Sequence, residues 1–137
     1  MALAPLMPYV ATTRQIRVSV EPIWLEDRSN PTESRYVWAY QVEIENLGGE
    51  TVQLRSRHWM ITDARGHVEH VRGPGVVGKQ PKLGPGERFE YTSGCPLTTP
   101  SGFMGGTYRM ITAEGETFDI EIPTFSLDSP HERVLIN

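Results

Sequence analysis

With a single cysteine, Cys95, in 137 residues, the chain cannot close an internal disulfide, which excludes the small secreted frameworks held by several bridges. A free thiol suits a reducing compartment. No stretch approaches the ~18 consecutive apolar residues of a membrane-spanning helix. The N-terminus carries Pro5 and Pro8, has no basic lead-in and lacks the apolar run of a signal peptide. A soluble, cytoplasmic protein without membrane contact is the expectation. Helical spacing is also missing: nowhere do apolar residues recur at three- and four-residue intervals, and 13 glycines and 11 prolines interrupt the chain. Positive charge is in deficit, with a net charge of −4, which argues against a specific nucleic-acid partner. At this length roughly two-thirds of the unfolded surface can be buried. One domain spanning 1–137, with a core from about 10 to 130 and flexible ends, therefore needs no stabilising metal.

What the chain does have is alternation with a period of two. Ile16, Val18 and Val20 alternate with Arg17, Ser19 and Glu21, the pattern of a half-buried strand. The polar segment Glu26 to Arg35, with Asn30-Pro31, reads as a loop. Tyr36, Trp38, Tyr40, Val42 and Ile44 then fall on one face until Asn46-Leu47-Gly48-Gly49 ends the strand. Val52 and Leu54 begin another strand, and Trp59 and Ile61 resume its alternation one register later, the signature of a bulge near Ser56. Asp63 to Gly66 turns the chain back into His67 to Arg72. Later strands begin at Phe89 and Tyr91 and at Tyr108 and Met110, with Ser93-Gly94-Cys95-Pro96 as a turn-like segment. Phe118, Ile120 and Ile122 form the next strand, closed by Pro123, with Phe125 and Leu127 as a short edge. Strands of this length between glycine and proline turns predict an all-β fold: an immunoglobulin/fibronectin type III-like antiparallel β-sandwich, with a closed barrel as the alternative.

The most conspicuous motif is Gly73-Pro74-Gly75-Val76-Val77-Gly78, which has the spacing of a dinucleotide-binding loop. Such a loop must open a helix, whose N-terminal amides receive the pyrophosphate. Here Gly78, Pro81, Gly84, Pro85 and Gly86 forbid one, so the glycines are expected to bend a loop between strands. If the loop binds anything, the candidate is a phosphate-containing small ligand held on a nest of backbone amides by Arg72, Gly73, Gly75, Gly78 and Lys79. Charge placement agrees: between Gln53 and Lys82 six cations face only Asp63 and Glu69.

Other constellations carry less. His67 and His70, with Glu69 between them and His58 or Asp63 nearby, have metal-ligating side chains, but residues three apart on a strand point to opposite faces, so no metal is expected. Asp119 and Glu121 read as the wet side of a strand. Neither Cys95 nor Ser101-Gly102 sits in a nucleophile motif. No catalytic residue and no cofactor are assigned. Most aromatic residues recur at strand spacing and belong to a core. Arg55-Ser56-Arg57-His58-Trp59 is the exception: cations adjoin an aromatic at a strand bend, making Arg55, Arg57, His58 and Trp59 the candidate surface for a protein partner.

Tyr36-Val37-Trp38-Ala39-Tyr40, Gln53 to Asp63, Gly73 to Pro81, Pro85-Gly86, Tyr91-Thr92-Ser93-Gly94, Gly102 to Tyr108 and Ile122-Pro123-Thr124-Phe125 closely resemble the bacterial ApaG family, from about Val10 to about Pro130. The resemblance implies a sandwich similar to fibronectin type III domains, a molecular function largely uncharacterised, and a genetic link to cobalt resistance and magnesium efflux. A similar domain in eukaryotic F-box proteins looks like a protein interaction module. The expectation is thus a non-catalytic interaction module. The alternative is polyphosphate or nucleotide binding, with or without a divalent ion, at the Gly73–Gly78 loop. This loop departs from the family pattern in carrying Pro74 and Lys79 where acidic residues are usual, which makes it stiffer and more basic.

Overall fold

The computed structural model describes residues 8–131, and the expected flexible ends lie largely outside them. Among the described residues there is no α-helix; Glu26–Arg28 and Pro31–Glu33 form single 3-10 turns within the expected loop. One sheet holds β1 (Tyr9–Thr13), β2 (Ile16–Trp24), β3 (Tyr36–Asn46) and β7 (Arg88–Leu97) in the order β1-β2-β3-β7. The other holds β4 (Val52–Asp63), β5 (Val68–Pro74), β6 (Lys82–Leu83), β8 (Ser101–Thr112) and β9 (Thr117–Asp128) in the order β5-β4-β8-β9, with the short β6 also pairing with β4. Every pairing is antiparallel, and the two sheets stack as a sandwich rather than joining into a barrel.

Strand periodicity builds the core directly. Val18, Val20, Val42 and Ile44 from the first sheet meet Leu54, Tyr108, Met110 and Ile120 from the second, all fully buried. Each such side chain contributes about 1.5–3 kcal/mol relative to exposure, most of it offset by the entropy of ordering the chain. The expected bulge is present, with the register of β4 on β8 shifting between Leu54 and Ser56. That extra residue moves the inward face from even to odd numbers, so Arg57, Trp59 and Ile61 follow Val52 and Leu54 toward the other sheet.

Three sequence expectations need correction. Pro123 does not close its strand. β9 runs to Asp128, and Pro123-Thr124 fall opposite Gly105, where the register with β8 shifts between Met104 and Gly106. A proline is tolerated at such an irregularity because the ladder is already broken there. Phe125 and Leu127, beyond the bulge, continue β9, an edge strand of its sheet, and their side chains enter the core at 1% and 0% exposure. Cys95 lies within β7, not in a turn, opposite Trp38 on β3. Finally, β1 was not expected. It folds onto β2 through Arg14 and Gln15, both at positive φ (48° and 65°), so a tight hairpin turn stands where no glycine signals one.

Candidate functional site

The glycine loop is a closed hairpin. β5 continues through Gly73 and Pro74, and the next residues form a tight turn in which the Val76 amide donates to the Lys79 carbonyl (2.8 Å) and the Lys79 amide to the Val76 carbonyl (2.9 Å). Val77 and Gly78 sit at its tip with φ of 43° and 78°. Gly75, at φ 62°, approaches the far side so closely that a Cβ would stand 2.4 Å from the Lys79 carbonyl oxygen, which explains the glycine without any ligand. The Gly75 amide donates to the Arg55 carbonyl (2.9 Å). Three amides of the loop, those of Gly75, Val76 and Lys79, therefore point at protein carbonyls. The chain after Lys79 is extended in β6 and turns at Gly84 to Glu87, so no helix dipole faces the loop.

The bulge in β4 divides the second group of candidates. Arg55 is exposed at the irregularity. Arg57 points inward at the border of the sandwich, and its Nη1 donates to the carbonyls of Pro74 (3.0 Å) and Gly75 (2.9 Å). Its guanidinium covers Gly73, where a Cβ would stand 3.1 Å from both terminal nitrogens. Arg57 is thus a clamp on the glycine hairpin. Trp59 is not on the surface at all. At 3% exposure it packs edge-on against Tyr40 and Phe125, because the register shift turns it to the core face. His58 does point outward, with its Nε2 2.9 Å from His70 Nδ1. Partial desolvation, then the neighbouring Arg72 and His70, hold the His58 pKa below its ordinary value, which favours the neutral imidazole.

Two concave regions adjoin β5, an edge strand of its sheet. On the outer face a shallow depression of about 490 Å³ is lined by His58, Arg72, Thr107, Arg109 and Asp119, with Asp119 accepting from Arg109 at 3.1 Å. Next to it lie Met60, Val68 and Phe103, exposed at 44%, 44% and 47%. The register explains their adjacency: Thr62 pairs with Val68 on one side and Phe103 on the other, and Met60 pairs with His70. The second region is a cleft of about 270 Å³ where the two sheets part between β5 and β7, lined by Tyr40, Arg57, Trp59, Glu69, Val71 and Cys95. Burial, then the charge of Glu69, pushes the Cys95 pKa up to about 12, so its thiol is protonated and a poor nucleophile.

The sequence reading found His58 and Arg72 but missed Met60, Val68, Phe103 and Glu69. Met60 was accessible in principle, since it sits between Trp59 and Ile61 in an alternating strand; Phe103 was not, because the surrounding glycines hide the alternation. His67 and His70 do not come together: His70 meets His58, while the His67 amide binds Asp63 Oδ1. Among the described residues no group of three or more His, Cys, Asp or Glu side chains is arranged to hold a metal ion.

The family model of the ApaG domain matches residues 26–112. Protein ApaG of Rhodospirillum centenum is 66% identical over 125 residues, spanning 91% of this chain and 96% of that protein. Protein ApaG of Parvibaculum lavamentivorans is 63% identical over 129 residues, spanning 94% and 99%. The crystal structure of the putative ApaA protein from Bordetella pertussis superposes with a TM-score of 0.83 at 48% identity, covering 93% of this chain and all of that one.

Proposed function

We propose that this chain, which belongs to the ApaG domain family, is a cytoplasmic, non-catalytic protein-binding module whose contact surface is centred on β5. The observation that carries the reading is the position of β5. It pairs with β4 on one side only, and its outward residues Val68, His70 and Arg72 continue into exposed Met60 and Phe103. Methionine, aromatic residues and arginine are the residue types enriched where proteins meet, and apolar side chains beside a cation suit an acidic, partly apolar partner. Binding is favoured over catalysis by how the reactive groups are engaged. The Cys95 thiol is buried and protonated, His58 is paired with His70, and Asp119 with Arg109.

The test is affinity purification from host cells with quantitative mass spectrometry, comparing the native chain with Phe103→Glu and Arg72→Glu. Both positions are on the outer face, so folding, checked by circular dichroism, should be retained. Loss of the same partner protein from both variants is the expected result. Recovery of every partner by both would rule this surface out.

A further inference from the structure

We infer that β5 receives an extended segment of the partner protein as an added antiparallel strand, and that this segment carries an acidic, an apolar and a basic residue at alternate positions, acidic first. The inference rests on the reading of β5 as the contact surface and specifies what is recognised there.

Along β5, residues facing the cleft alternate as Glu69, Val71 and Gly73, since each pairs with an inward residue of β4: Ile61, Trp59 and Arg57. Gly73 has no side chain, and the guanidinium of Arg57 occupies that place. An incoming strand therefore meets a cation at one end of the row, an apolar floor of Val71, Tyr40 and Trp59 in the middle, and a carboxylate at the other end. Four residues of extended chain separate the two charges by roughly 13 Å, the distance between residues i and i+4 on one face of an added strand. Residues directly opposite each other in a ladder share a face. In antiparallel orientation, the acidic residue of the pattern lies against Arg57, the apolar one enters the cleft, and the basic one reaches Glu69.

Two observations favour this occupant. The cleft, at about 270 Å³, is below the ~300–1,000 Å³ of pockets for cofactors and drug-sized ligands, and suits a single side chain. Arg57 uses Nη1 for the hairpin carbonyls, which leaves further donors of the guanidinium for a carboxylate, and Glu69 forms no ion pair among the described residues. Glu69, pointing inward on the edge strand, and Arg57, reaching over Gly73 from β4, repel an arbitrary apolar strand, because it would bury them unpaired. They admit a strand bearing the counter-charges, so the same device that blocks aggregation selects the partner. β7, the facing edge, is the poorer acceptor because Pro96 interrupts its donors.

The experiment titrates the isotope-labelled full chain with capped nonapeptides centred on Glu-Thr-Phe-Thr-Lys, on the reversed Lys-Thr-Phe-Thr-Glu, and on Glu-Thr-Phe-Thr-Glu. The expected result is shifts of the Glu69, Val71 and Cys95 amides, with the first peptide binding at least ~fivefold more tightly than the reversed one, the scale of one or two partly exposed charge pairs. Glu69→Lys, at an exposed position that leaves the Arg57 clamp intact, should invert the order so that the doubly acidic peptide binds best. Equal affinity for all three, preference for the reversed peptide, or no shift at millimolar peptide would overturn strand addition. If the peptides fail while Phe103→Glu still abolishes partner capture, only the added strand is lost. If capture also survives, the contact surface falls with it.

Discussion

Removing either hydroxyl of the Tyr91–Tyr108 pair should destabilise the fold, whereas removing both should cost less than the worse single change. The two phenolic oxygens share a hydrogen bond between the sheets, and each is the other's partner. Tyr108 is 0% exposed and Tyr91 is 8% exposed. Tyr91→Phe leaves the Tyr108 hydroxyl where water cannot reach it, so the change should cost about 1–3 kcal/mol, the penalty of an unsatisfied buried polar group. Tyr108→Phe leaves the hydroxyl nearer the surface, able to recover a water, and should cost about 0.5–1 kcal/mol. The double variant removes both polar atoms and keeps both rings, so the coupling between the sites should be about 1 kcal/mol or more. Urea unfolding of the four proteins, with the slope against denaturant held common, measures these differences. Costs that add to within about 0.3 kcal/mol, or a cheaper Tyr91→Phe than Tyr108→Phe, would refute the reasoning.

The glycine hairpin supplies a stabilising change. Val77 holds a β-branched side chain at φ 43° while 53% exposed, so Val77→Asn, which suits the turn, should raise stability by about 1 kcal/mol in the same urea experiment. Asn46 is 2% exposed and bonds the carbonyls of Glu50 (2.7 Å) and Leu83 (3.0 Å) and the amide of Gly48 (2.9 Å). Asn46→Ala should therefore cost roughly 2–4 kcal/mol and speed amide exchange at Gly48 and in β6. Alkaline pH should weaken the fold through Cys95. Its unfolded thiol ionises near pH 9 while the folded one keeps its proton to about 12, so stability is full below pH 9 and falls as pH rises through that window. Between pH 9 and 10 the buried tyrosines add the same slope to both proteins, so Cys95→Ala should flatten the total by about 1 kcal/mol per pH unit; an unchanged slope would remove the thiol as a source. The engaged amides of the hairpin lead to a last expectation, that ATP and pyrophosphate at millimolar concentration leave the Gly75 and Lys79 amide signals of labelled protein unmoved.

Period-two alternation by itself determined that the chain folds as paired antiparallel strands, because a strand with one apolar and one polar face has only another such sheet to bury against. The density of glycine and proline after Gly78 likewise settled that the dinucleotide spacing would not open a helix, since that restriction is local to the backbone. The slip between Leu54 and Trp59 marked a bulge, yet its consequence was not legible. Whether Arg57 and Trp59 face solvent depends on which side of the bulge meets the other sheet, and cation–aromatic proximity in the sequence pointed the wrong way. The turn at Arg14-Gln15 and the passage of β9 through Pro123 were equally hidden, since partner strands, not the residues' own preferences, hold those conformations. Only the tertiary structure decided that β5 is a free edge, that Val68 and Phe103 lie in one row through Thr62, and that Arg57 and Glu69 stand at opposite ends of one cleft. Strand order and sheet stacking are made by contacts between residues distant in the chain, and a local pattern specifies the face of each strand but not its neighbour.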